Sequence, residues 1–209
     1  EVAATAGTSA VIYGVTDKNA ADIKERVNTF RHVTHSDNAQ RNGVLLCING
    51  AGRSYSWLRE LVGSMQTSEV SYLALNAAAE KVDVGSDGLG YLPFGNGAER
   101  MLGNKIVGAH LKNIDLNRHG VGHIVRAVQE GIVFALNRGF EVLKELGSSP
   151  EVIRAPSGNL FLSDIFKQAF ANTSGCVLEI LDTDSAEGAA RGAALGVEFY
   201  ANESEAFAR

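Results

Sequence analysis

Three short stretches place glycine beside a hydroxyl or amide side chain directly after an apolar, strand-like run. They are Gly7-Thr8-Ser9, Asn49-Gly50-Ala51-Gly52 and Pro156-Ser157-Gly158-Asn159. Glycine lets the backbone come close to a ligand, and backbone N–H groups and hydroxyls donate hydrogen bonds to phosphate oxygens. Each stretch alone is equally an ordinary turn between two elements. The second bend is followed by a helical pattern, and a helix N-terminus there would face an anion or nucleotide. A full dinucleotide fingerprint needs a third glycine at position 55, which is Tyr55, so that cofactor class is excluded.

Other chemistry-bearing residues read as structural. His119 and His123 stand four apart, a metal-ligand spacing on a helix, but Gly120 and Gly122 lie between them and no third ligand follows. They are expected to open a helix, not to hold zinc. His32 and His35 are expected to be solvated. Glu130 is expected to pair with Arg100 or Arg126, because a buried carboxylate rarely stays unpaired. Cys47 and Cys176 lie in apolar runs and are expected to be reduced, buried thiols.

The elements that would position these residues follow from periodicity. Val2 to Thr5 and Ala10 to Val15 read as a hairpin around the first bend. Thr29 to Thr34 and Val44 to Ile48 read as strands joined by a turn through Arg41-Asn42-Gly43, and Asn19 to Arg26 reads as a surface loop. Helical patterns cover Tyr55 to Val62 and Val70 to Val82. Gly88 to Arg100, with four glycines and Pro93, reads as a constrained loop. Lys105 to Leu116 reads as a strand pair. His123 to Leu146 is the longest apolar-periodic segment, with Ile124, Val128, Ile132, Leu136, Phe140 and Leu143 on one stripe, and Gly147 caps it. Val152 to Ala155 and Cys176 to Leu181 read as strands, with a helix between them around Ile165 to Phe170. The last helix, Asp184 to Tyr200, stacks Gly188, Gly192 and Gly196 on one face. Glycine costs a helix about 1 kcal/mol each, so that face is expected to pack tightly on the sheet. A polar tail, Asn202 to Arg209, ends the chain. Late strands alternating with helices define an α/β sheet flanked by helices.

The stretch Leu92-Pro93-Phe94-Gly95-Asn96-Gly97-Ala98-Glu99-Arg100, followed by His123-Ile124-Val125-Arg126-Ala127-Val128-Gln129-Glu130-Gly131, resembles the C-terminal half of the FGGY carbohydrate kinases, and within them the xylulose kinases. The family pattern is a Leu-Pro loop ending in Gly-Glu-Arg, then His-Leu-x-x-Ala-x-x-Glu-Gly opening a long helix. Ala98 interrupts the triplet, Lys112 replaces a glycine, and Pro156-Ser157-Gly158 stands where the family has a Gly-Gly loop. The resemblance extends over nearly the whole chain. It implies a ribonuclease H-like, actin-like ATPase domain. Gly7, Thr8 and Ser9 would lie at the ATP phosphates. Gly52 and Ser56 would lie at the nucleotide, and Gly158 and Asn159 at the adenosine.

The same resemblance implies phosphorylation of a sugar hydroxyl, D-xylulose before ribulose, gluconate or glycerol, with ATP and Mg²⁺ as cofactors. The catalytic aspartate of the family precedes the Gly-Thr-Ser turn and so lies upstream of Glu1. The 209 residues are therefore expected to be a single domain, the nucleotide-binding half of a longer cytoplasmic kinase, inactive alone. Its expected partners are ATP or ADP, a small sugar, the preceding half of the chain and, as an open alternative, a second copy in a homodimer. A formal charge of −5 disfavours nucleic acid and anionic membranes, and no apolar run reaches the ~18 residues of a membrane span. Two other readings remain at this point: an actin-fold module that has lost catalysis, and an unrelated α/β binding domain.

Overall fold

The computed structural model describes residues 1–18, 21–65 and 69–208. The first bend folds as read: β1 (Val2–Ala6) and β2 (Ala10–Thr16) form an antiparallel hairpin around residues 7–9. β3 (Asn28–Arg31) and β4 (Asn42–Ile48) extend the sheet on the β2 side. On the other side, β7 (Val152–Pro156) and β8 (Val177–Leu181) add parallel to β1. The six strands run in the order β3-β4-β2-β1-β7-β8, so the hairpin strand β1 lies between an antiparallel and a parallel half. Register stacks small and branched residues on one face: Ala4 pairs with Ile12, Ile12 with Leu46, and Val2 with Ile153. All of these are buried, as period-two alternation requires of a half-covered sheet.

Helix α3 (Val121–Glu145) lies across that face. Ile132, Leu136 and Phe140 on it are fully buried. Its glycines let neighbours come close. A Cβ on Gly131 would lie 2.2 Å from the Tyr91 carbonyl, and one on Gly139 would lie 2.7 Å from a Leu46 methyl. His123 accepts the Gly120 amide at the start of α3 through Nδ1. His119 accepts the Asp115 amide at Nδ1, which leaves Nε2–H to donate to the Asp87 carbonyl at 3.2 Å. His123 thus caps the helix start, as expected, whereas His119 ties the preceding loop together through Asp115 and Asp87. No group of three or more metal-ligating side chains exists among the described residues. Glu130 pairs with Arg126 at 2.8 Å, one of its two expected partners, and also accepts from the Gly85 amide and the Ser86 hydroxyl. Both cysteines are free; Cys176 is buried and Cys47 half-buried.

Helices α1 (Ala51–Gly63) and α2 (Tyr72–Ala79) lie beside α3. Helix α4 (Asp164–Ser174) packs on α3, with Phe161, Phe166 and Phe170 in mutual ring contact at 5.2–6.5 Å between centroids.

Five expectations change. First, the turn at Arg41-Asn42-Gly43 is strand: β4 begins at Asn42, and the reversal lies around the Ser36–Ala39 bridge. Gly43 is glycine because the Tyr13 ring crosses it, leaving only 2.2 Å between its Cβ position and the Tyr13 hydroxyl. Second, the constrained loop at 88–100 contains β5 (Gly90–Phe94), which pairs with β6 (Gly108–Lys112); the strand pair placed within 105–116 is therefore one strand with a distant partner. Third, α2 is shorter than its pattern. Fourth, the last helix, α5 (Ser185–Gly196), buries no residue, and a Cβ on any of its three glycines would meet nothing within 4 Å. Fifth, the polar tail holds a short helix, α6 (Glu203–Ala206), tied back by the Arg41–Glu203 ion pair. Within the loop expected at 19–26, residues 19 and 20 lie outside the described residues. Asp22 and Arg26 pair at 3.0 Å, and Arg26 also reaches Glu145 at the end of α3.

Candidate nucleotide-binding site

A pocket of about 450 Å³ lies between the β1–β2 turn, α1, α2 and the 3-10 turn Asn159–Leu162. That is within the ~300–1,000 Å³ range of small-molecule sites. Gly7, Thr8, Gly52, Ser56 and Asn159 line it. Two of the three glycine bends therefore meet directly, and the third contributes Asn159. Ser9 and Gly158 are not among the lining residues. The Ser9 hydroxyl turns to the Cys47 thiol on the sheet's other face, and burial pushes that thiol's pKa up.

The first two bends are locked together. The amides of Gly52 and Arg53 both donate to the Thr8 carbonyl, at 3.1 and 3.2 Å. The first turn of α1 is thus occupied by the hairpin, and its N-terminus is not the open anion donor that strand–turn–helix spacing suggested. A Cβ on Gly52 would lie 2.0 Å from the Gly7 carbonyl, so only glycine permits this contact. Gly50 precedes α1 at φ 70°, with the Asn96 side chain against it, which ties the 95–97 loop to the same corner. Thr8 is exposed, and its hydroxyl has no hydrogen-bond partner among the described residues. Asn159 adopts φ 53°, a left-handed conformation that asparagine tolerates better than most residues. Its side-chain amide lies over Gly7, 3.7 Å from that residue's Cβ position. Ser56 donates to the Arg53 carbonyl at 3.0 Å. Arg53 lies back along α1 on Ser56 and on Glu60, at 2.9 and 2.8 Å.

The other wall was not legible from motifs. Tyr72 and Leu73 of α2, with Leu160 and Leu162, make it apolar. The Tyr72 ring stacks on Tyr55 at 5.3 Å, with the Arg59 guanidinium 4.6 Å from its centroid. Beneath lies a buried polar chain through Tyr55, Asn76, Gln129 and Ser163. Burial pushes the Tyr55 hydroxyl's pKa well above its usual range, so it stays a neutral donor. Gln129 is fully buried, with both amide atoms satisfied. A glutamine inside the Val125–Val128–Ile132 stripe is the one sequence signal that could have revealed this floor.

A polar end with glycine turns and an unpartnered hydroxyl, joined to an apolar end with an aromatic side chain, suits a phosphorylated ligand with a flat base. Comparison with known proteins defines the family. Residues 2–197 match the model for the FGGY family of carbohydrate kinases, C-terminal domain, and the chain belongs to that family. It is 27% identical over 193 residues to the xylulose kinase of Bacillus subtilis, covering 92% of this chain and 36% of that protein. It is 28% identical over 178 residues to the gluconokinase of Bacillus licheniformis, covering 82% and 34%. The crystal structure of xylulose kinase from Rhodospirillum rubrum superposes with a TM-score of 0.78 at 25% identity, over 94% of this chain and 38% of that one. Gluconate kinase from Lactobacillus acidophilus gives 0.82 at 20% identity over 98% and 40%, a likeness of fold alone. The fold is thus the actin-like ATPase fold, with a mixed sheet flanked by helices. The chain spans little more than a third of the length of these relatives.

Proposed function

We propose that these residues are the nucleotide-binding half of a two-domain kinase that transfers the γ-phosphate of ATP to a sugar hydroxyl, with D-xylulose as the acceptor. The observation that carries this reading is the Gly7–Gly52 contact, which places Thr8, Ser56 and Asn159 around one pocket. The Thr8 hydroxyl and the turn backbone would receive the phosphates, and Tyr72, Leu73 and Leu162 would hold the base out of water. Phosphoryl transfer depends mainly on positioning and charge stabilisation, so a rigid cradle suits it. Magnesium would supply charge neutralisation at the phosphates. No cluster of acidic ligands stands among the described residues to hold it, so no step is assigned to this chain through the metal. The base that takes the sugar proton would come from the preceding half, as would most of the sugar site. The curated relatives named xylulose kinase support the acceptor; the similarity to gluconokinase makes gluconate its main competitor.

The test is a panel assay of the full-length protein with ATP and D-xylulose, D-ribulose, gluconate and glycerol. A preference for D-xylulose is expected, and a preference for gluconate would reassign the substrate. ATP titration should give binding that Gly52→Val abolishes. Sugar-dependent ATP hydrolysis by the 209 residues alone would refute the division of labour.

A further inference from the structure

We propose that Asn76 is a specificity-determining residue of this pocket, presenting its side-chain NH₂ to an acceptor nitrogen of a purine base. The proposal rests on the nucleotide reading above and concerns a residue that no glycine motif includes.

The polarity of the buried chain carries the argument. It starts at the Phe166 amide, which donates to Ser163 Oγ at 3.4 Å. Ser163 Oγ–H then donates to Gln129 Oε1 at 2.6 Å. With its oxygen taken, Gln129 turns its Nε2 outward, donating to Asn76 Oδ1 at 3.0 Å and to the Tyr55 hydroxyl oxygen at 3.2 Å. The Tyr55 hydroxyl proton goes to the same Asn76 Oδ1. Every donor in the chain points one way, and the last acceptor receives two of them. Turning the Asn76 amide over by itself would set its NH₂ against the Gln129 NH₂ in a half-buried site, where a mismatched polar pair is destabilising.

In this arrangement the Asn76 NH₂ faces the pocket. Its Nδ2 has no hydrogen-bond partner among the described residues, and the residue lines the pocket beside Tyr72 and Leu73. A fixed donor next to an apolar, aromatic wall selects a flat ring with a lone pair at its edge. Purines carry such nitrogens at N1, N3 and N7. Sites built to hydrogen-bond a ligand discriminate strongly against analogues that lack the matching group. The chain also joins α1, α2, α3 and the N-cap of α4, so the donor sits on rigid elements.

The experiment uses the full-length protein and calorimetric affinities for ATP, 1-deaza-ATP, 3-deaza-ATP and 7-deaza-ATP. Wild type is compared with Asn76→Asp and Asn76→Ala. Asn76→Asp keeps the acceptor for Tyr55 and Gln129 and exchanges the NH₂ donor for a charged acceptor; Asn76→Ala removes the donor without adding charge and keeps the test open if the aspartate variant does not fold. One deaza analogue is expected to bind wild type about tenfold more weakly than ATP. That ratio should fall to within about twofold in whichever variants fold, with KM for ATP raised and kcat retained. Equal binding of all four nucleotides to wild type overturns the proposal, as does the same discrimination in the variants; in either case ATP binding itself keeps the nucleotide reading alive. Failure of wild type to bind ATP overturns both.

Discussion

Helices α3 and α5 carry the same message in sequence and opposite structures. Each carries three glycines, and each glycine costs a helix about 1 kcal/mol. On α3 the cost is offset by contact: the Cβ positions of Gly122, Gly131 and Gly139 lie 2.5, 2.2 and 2.7 Å from atoms of three different elements. On α5, Gly188, Gly192 and Gly196 face open space, and the helix buries nothing. Small residues at helical spacing show that a backbone could be approached. Whether it is approached depends on what stands opposite, which lies elsewhere in the chain.

Substitutions break or sharpen this contrast. The largest effect is expected from Gly131→Ala, whose methyl would strike the Tyr91 carbonyl and push β5 off α3. Urea unfolding should show a loss of about 3 kcal/mol, and a loss below 1 kcal/mol would mean that β5 yields freely. Next comes Arg126→Ala, also on α3, which strips the buried Glu130 carboxylate of its cation and leaves the Gly85 and Ser86 donors alone to hold it. A loss of about 3 kcal/mol is expected, largely recovered by adding Glu130→Gln.

A third test concerns the C-terminal end of α3, where Arg26 joins Asp22 to Glu145. The Arg26 guanidinium holds the Asp22 carboxyl down to about 2, against an ordinary value of 3.8. A folded pKa below the unfolded one gives stability that is full above about pH 4 and lost as pH falls toward 2. Asp22→Asn should therefore cost about 2 kcal/mol at neutral pH, and its urea midpoint should merge with that of wild type near pH 2. The smallest effect is expected on α5: Gly192→Ala should raise the stability of the 209 residues by about 0.5–1 kcal/mol, seen as a higher melting temperature. Destabilisation there would show that α5 is packed after all.

The contrast also explains what sequence could and could not tell. The hairpin, the parallel pair β7–β8 and the long helix were legible because each follows a local period. Gly43 was misplaced into a turn because its reason is the Tyr13 ring, a cross-strand neighbour with no local trace. β5 hid inside a glycine-rich stretch because its partner β6 begins fourteen residues after it ends. Of the motif residues, Gly7, Thr8, Gly52, Ser56 and Asn159 line the pocket, and Ser9 and Gly158 do not. Tyr72, Asn76 and Gln129 were not legible, since each is an ordinary residue until two helices bring them together.

The Thr8 carbonyl has a mechanical consequence. By taking two amides from the first turn of α1, it welds the hairpin tip to that helix, and no hinge remains between them. Any movement around a guest must carry the hairpin tip and α1 as one body, and α2 travels with them, because Asn76 and Tyr72 both hold to Tyr55.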